Sequence, residues 1–135
     1  MREKTTIESV REFHDTYGVV NKEMPDISDK GINNLRLSLL QEELDELKAA
    51  LANNDVVEVL DALSDLQYIL DGSYLSWGLG HLKETAFNEV HRSNMSKLGE
   101  DGKPIYREGD GKVLKGPNYT PPDLAQFFVK RDEAA

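Results

Sequence analysis

The stretch from Leu35 to Asp65, LRLSLLQEELDELKAALANNDVVEVLDALSD, decides the reading of the chain. Leu35, Leu39, Leu40, Leu44, Leu47 and Leu51 recur at a spacing near 3.6 residues, which predicts an amphipathic helix over Asn33–Ala52. Asn53-Asn54 ends it, Asp55 is placed to cap a second helix, and Glu58 three residues later completes a box-like pattern. That second helix is expected to run from Val56 towards Trp77, with Gly72 a weak point inside it and Gly78 and Gly80 its stop. So short a connection folds the two helices into an antiparallel hairpin.

The hairpin is acidic where its helices should face each other. Glu43 and Glu46 are three apart and Glu42 and Glu46 four apart, so they share one helix face; Glu58, Asp61 and Asp65 do the same on the next helix. Counting outward from the Asn53-Asn54 turn sets Glu46 level with Asp61, and Glu42 and Glu43 level with residues 64 and 65. Two acids therefore oppose two acids, on levels about 5.4 Å apart. Cations are scarce: the first helix has Lys48 as its only one after Arg36, and the second has none between Asp55 and Trp77. Acids on a helix are ordinarily a solvated face. Acids this concentrated, flanked by Leu60 and Leu66, repel one another unless a cation compensates. Magnesium, which takes hard oxygen ligands and keeps room for water and substrate phosphates, suits such a patch.

Outward from the hairpin, Thr5–Tyr17 reads as a short helix with Ile7, Val10, Phe13 and Tyr17 on one face and Gly18 as its stop. Val19–Gly31 has loop chemistry (Pro25, Asp26, Ser28, Asp29, Gly31). Leu82–Leu98 is a further helix. From Gly99 onward, glycine and proline predict ordered loop or a small hairpin, with one last helical turn over Asp123–Val129. The expected fold class is all-α, a four- to five-helix bundle in one domain over 1–135, with core helices at about 5–98 and a loop-rich segment over 99–135.

Composition bounds the function. The 135 residues include 25 acidic and 16 basic side chains, a net charge of −9, which disfavours nucleic acid as a partner. No cysteine is present, so thiolate metal sites and cysteine nucleophiles are excluded. No apolar run approaches the ~20 residues of a membrane span, and Met1–Val10 has no apolar signal core. The expectation is a cytoplasmic protein with no membrane partner.

Glu42-Glu43-x-x-Glu46 followed by an acidic motif on the next helix resembles the signature of the all-α nucleoside triphosphate pyrophosphohydrolases, which include MazG-like proteins, dimeric dUTPases, dCTP pyrophosphatases and phosphoribosyl-ATP pyrophosphohydrolase. The runs from Asp61 to Leu70, Glu89 to Lys97 and Lys112 to Tyr119, with Pro121-Pro122-Asp123-Leu124, are similar to the phosphoribosyl-ATP-pyrophosphohydrolase-like branch; the likeness covers roughly residues 7 to 124. The resemblance implies Mg²⁺- or Mn²⁺-dependent hydrolysis between the α- and β-phosphates of a nucleotide, a dNTP before others, and a homodimer or homotetramer. It implies Glu43 and Glu46 as metal ligands, with Glu42 a further ligand or a base for the attacking water and Glu46 sharing that catalytic role. The family's second motif is Glu-x-x-Asp. Glu58-x-x-Asp61 fits it literally, whereas aligning on Asp65 puts Ala62 where the Glu belongs. The hairpin count favours Asp61 and Asp65 as ligands and leaves Glu58 in reserve.

Asn94 and Lys97 are three apart at a helix end, and the resemblance implies that they contact the nucleotide. Lys103, Arg107, Lys112 and Lys115 in the glycine-rich tail could close over phosphates, and Tyr106 and Tyr119 could stack on a base. Two other readings stand beside this one: phosphoribosyl-ATP as the substrate, and a non-enzymatic helical module with an acidic face.

Overall fold

In the computed structural model, which describes residues 2–128, the chain divides into two compact units between His81 and Leu82. The first holds three helices: α1 (Thr6–Tyr17), α2 (Lys30–Ala52) and α3 (Val56–Ser76). Caps set their ends. Thr5 accepts the Glu8 N–H at the start of α1, and Gly18, at φ 71°, ends it in the left-handed region. Asp29 accepts the Ile32 N–H, so α2 starts three residues before the expected Asn33. Asn54, at φ 53°, turns the chain, and Asp55 accepts the Glu58 N–H to open α3 at the expected residue. Only this half of the capping box forms; the Asp55 N–H goes to the Ala50 carbonyl.

Among the described residues the buried apolar side chains are few: Val10 from α1, Ala50 from α2, and Ala62 and Leu75 from α3. On α1 the buried face runs through Val10 and His14, and Phe13 and Tyr17, expected on that face, lie 39% and 70% exposed. Phe13 caps an aromatic edge instead, 4.5 Å from the Tyr17 ring and edge-on to Tyr68 at 5.6 Å. Much of the leucine stripe of the hairpin also stays open, with Leu51 61% and Leu60 67% exposed.

The loop before α2 is pinned to the end of α3. Ser76 donates to the Val20 carbonyl, the Lys22 N–H to Leu75 and the Asp26 N–H to Trp77. The Trp77 indole donates to Asn33. Gly78 is required here: a Cβ would sit 1.9 Å from the Met24 carbonyl oxygen.

The second unit is built on α4 (Lys83–Met95), preceded by a 3₁₀ turn over Gly80–Leu82. A two-stranded antiparallel hairpin follows, β1 (Ile105–Tyr106) and β2 (Val113–Leu114), pairing Ile105 with Leu114 and Tyr106 with Val113. The tail is strapped to α4. Ser93, almost wholly buried, donates to the Thr120 carbonyl; Arg92 donates to Thr120 and Pro121; Glu89 accepts the Asp123 N–H. A last 3₁₀ turn covers Ala125–Phe128; Val129, the end of the expected turn, and residues 130–135 lie outside the described residues. Among the described residues no helix is long and apolar enough to cross a membrane.

Candidate active site

Glu43, Glu46 and Asp65 converge: one carboxylate oxygen from each lies within 4.8 Å of the others. The helical repeat stacks Glu43 and Glu46 one turn apart on α2. The short Asn53-Asn54 connection brings Asp65 of α3 opposite Glu43, as the count from the turn predicts. Glu43 and Asp65 are half-buried and Glu46 is exposed.

The electrostatics of the trio are unfavourable as they stand. Desolvation, then the charges of Asp65, Glu46 and Asp61, push the Glu43 carboxyl up to about 7, and a hydrogen bond with Glu46 favours its protonated form. Asp65 is also raised, first by desolvation and then by Asp61 and Glu46, with a hydrogen bond from Glu43 opposing. Glu43 Oε2 is buried and has no hydrogen-bond partner. None of the three is in an ion pair with a described lysine or arginine. Buried carboxylate oxygens without donors are costly, and a hard cation is the compensation their chemistry fits best.

The remaining acids fall into place around the trio. Asp61 is exposed and outside the closest set, yet near enough for its charge to bear on both Glu43 and Asp65. Glu42 is exposed on the flank of α2. Glu58 lines, with Glu46, Asn53 and Asp55, a polar cleft of about 300 Å³ at the turn end of the hairpin. Ala62, which takes the place of the motif's Glu when Asp65 is aligned, has no ligand atom to offer and is buried in the core at 2% exposure.

In the second unit, Asn94 and Lys97 line one cavity of about 390 Å³ with Met95, Leu98, Pro104 and Val113. The tail cations are dispersed. Arg107 is tied to Asp110, Lys115 lies over the Tyr119 ring at 4.8 Å, and Lys103, ahead of β1, and Lys112, just before β2, are exposed.

Sequence reading passed over a second polar group on the same helices. Arg36 is 4% exposed, and its guanidinium donates to Ser73 Oγ and to the Ile69 carbonyl. His14, 3% exposed, bonds Asn21. Gly72 makes the space for both: a Cβ there would lie 2.5 Å from Arg36 Nη2 and 2.8 Å from His14 Nε2. The signal was an arginine set inside a leucine stripe and a glycine inside an apolar helix.

No curated protein matches the sequence. A solved structure from Exiguobacterium sp. 255-15, provisionally described as an NTP pyrophosphohydrolase, aligns over 90% of this chain and 90% of its own, at 27% identity and a TM-score of 0.43. The family model described as phosphoribosyl-ATP pyrophosphohydrolase matches residues 10–94, a span that contains α2, α3 and every acid of the cluster. The chain belongs to the phosphoribosyl-ATP pyrophosphohydrolase family.

Proposed function

We propose that this pyrophosphohydrolase cleaves a nucleoside triphosphate, a dNTP before others, to the monophosphate and pyrophosphate with the help of Mg²⁺. The observation that carries the reading is the convergence of Glu43, Glu46 and Asp65, with a buried Glu43 oxygen unpartnered and no ion pair to a described lysine or arginine. These three are the metal ligands, Asp61 extends the acidic face towards a second ion, and Glu58 is the reserve ligand at the turn. A divalent ion here would neutralise the phosphates and lower the pKa of bound water. The protein's own part is to orient that water and accept its proton, through Glu46 or the exposed Glu42. Asn94 and Lys97, which share a cavity, are the nucleotide contacts of the second unit, with Lys103, Arg107 and Lys115 as the tail cations nearest in sequence. Mn²⁺ can serve the same oxygen ligands.

The open leucine stripe around Leu51, Val56, Val57 and Leu60 supports a homodimer or homotetramer, since a monomer gains nothing by exposing it. The charge of −9 argues against nucleic acid as the partner. A cytoplasmic setting agrees with the lack of cysteine. Phosphoribosyl-ATP is the second reading, and the family match favours it.

The test is release of pyrophosphate and monophosphate from a panel of NTPs, dNTPs and phosphoribosyl-ATP, with Mg²⁺, with Mn²⁺ and with chelator. Metal-dependent release from the nucleotides, lost in Glu46→Gln and Asp65→Asn, supports the first reading. Turnover of phosphoribosyl-ATP alone establishes the second. No turnover of any compound leaves a non-enzymatic helical module.

A further inference from the structure

The tail of the second unit runs antiparallel to α4 along one of its faces. Glu89, Arg92, Ser93, Ser96 and Lys97 share that face, at positions i, i+3, i+4, i+7 and i+8. They meet the tail in reverse order. The Lys97 carbonyl accepts the Gly116 N–H at 2.8 Å, Ser96 Oγ accepts the Thr120 N–H at 3.0 Å, and Glu89 accepts the Asp123 N–H at 2.8 Å. We propose that Glu89 and Arg92 are positioning residues: their clasp on the tail keeps the Asn94–Lys97 cavity in shape, and so sets the affinity for an anionic substrate that neither residue touches. The inference rests on the pyrophosphohydrolase reading above, in which Asn94 and Lys97 contact the nucleotide, and adds what holds those contacts in place.

The clasp is built around one guanidinium. Arg92 forks onto Glu89, Nε to Oε1 at 2.8 Å and Nη2 to Oε2 at 2.9 Å. The same group donates to Thr120 Oγ1 at 2.6 Å and to the Pro121 carbonyl at 3.2 Å. Four contacts spread over one plane call for arginine; a lysine carries its donors on a single nitrogen and has no fork. The pair lies at the surface, with the Arg92 side chain 47% exposed. Exposed ion pairs add little to stability, so what this one chiefly supplies is placement.

The clasped segment leads to the cavity wall. Gly116 lies four residues before Thr120, and a Cβ on it would sit 2.1 Å from the Leu98 carbonyl oxygen, so the tail meets the end of α4 backbone to backbone. Val113, three residues earlier, forms with Pro104 the wall that faces Asn94, Met95, Lys97 and Leu98 across about 390 Å³. Opening the clasp lets that wall draw away from Asn94 and Lys97. A ligand then binds only the fraction of molecules in which the wall is in place, and its apparent affinity falls by that fraction. Lys97 is the cation among the cavity's lining residues, which makes an anion the natural probe.

The experiment compares the wild type with Arg92→Lys and Glu89→Gln. Hydrogen exchange follows the Thr120 and Asp123 amides, and steady-state kinetics on the best substrate of the panel gives kcat and KM. Inorganic pyrophosphate is titrated into the metal-free protein while the Lys97 amide is followed by NMR. Both variants should speed exchange at Thr120 and Asp123. They should raise KM about tenfold, hold kcat within about twofold, and weaken pyrophosphate binding as much as they raise KM. Unchanged KM and pyrophosphate binding in a variant whose tail amides exchange fast overturns the clasp while sparing the reaction. So does a fall in kcat at constant KM, or a tail as protected in both variants as in the wild type. So, too, does a wild type that turns over nucleotide with no pyrophosphate shift at Lys97. Pyrophosphate shifts that the variants lose, in a protein that turns over no nucleotide, keep the clasp and overturn the reaction. Absence of both shifts and turnover overturns both.

Discussion

Two polar levels cross the α2–α3 pair about 10 Å apart, and they have been solved in opposite ways. At the first, Arg36 is buried and given neutral acceptors, Ser73 Oγ at 3.1 Å and the Ile69 carbonyl at 2.7 Å, with Gly72 cut away to admit it. At the second, seven residues along α2, Glu43 faces Asp65 and Glu46, and one of its oxygens is buried without a partner. The first level is complete in the protein alone. The second is left with an oxygen that no group of the described chain satisfies. A buried polar group that the fold satisfies is architecture, and the one left unsatisfied at Glu43 is what the proposed metal ion would neutralise.

The sharpest way to break this contrast is by activity. Asp65→Asn and Glu46→Gln should each lower pyrophosphate release by about 10²-fold or more. Gly72→Ala acts on the other level. It should destabilise the fold by about 1–3 kcal/mol, because Arg36 and His14 must shift from buried hydrogen-bonded positions; urea unfolding would measure it. If Gly72→Ala were neutral while Asp65→Asn unfolded the chain, the assignment of the two levels would be reversed.

A smaller effect separates them by sign. Without metal, Asp65→Asn should be more stable than the wild type by about 0.5 kcal/mol, since it removes a like charge opposite Glu43 and Glu46. Added Mg²⁺ should raise the melting temperature of the wild type and leave that of the variant nearly unchanged.

The smallest expected effect is the pH dependence of the metal-free protein, where the levels oppose each other. Glu43 is held up to about 7 against an ordinary 4.5, so its folded form keeps a proton that the unfolded chain releases. Its contribution is complete below about 4.5 and is lost as the pH rises through about 7. His14 is held below its ordinary 6.5, first by burial and also by the Arg36 charge. Its contribution is complete above 6.5 and is lost as the pH falls through its lower folded value. Glu43→Gln should therefore steepen the loss of stability on acidification, and His14→Gln should flatten it. Melting temperatures between pH 4.5 and 8 check both; equal profiles for the two variants would remove the distinction.

The helices were legible because their signals are local. Capping at Thr5 and Asp55 and the periodic leucines act within a turn or two of chain, so α1 and α3 start within one residue of expectation. The Asp29 cap was read as loop, which placed the start of α2 too late. The proximity of Glu43 to Asp65 was legible for a related reason, since a short connection leaves a hairpin little freedom of register.

The sequence by itself therefore determined the helical hairpin and its acidic face. Tertiary structure decided what depends on packing between distant elements. It dropped Asp61 from the closest set, buried Ala62 and rotated α1 so that His14 faces inward in place of Phe13. It also closed α1 over Gln67, Tyr68 and Asp71. The physical reason is that periodicity tells which residues share a face, whereas burial and side-chain reach fix which member of that face meets a partner. That choice rests on sub-ångström fits such as the one at Gly72, which no local pattern encodes.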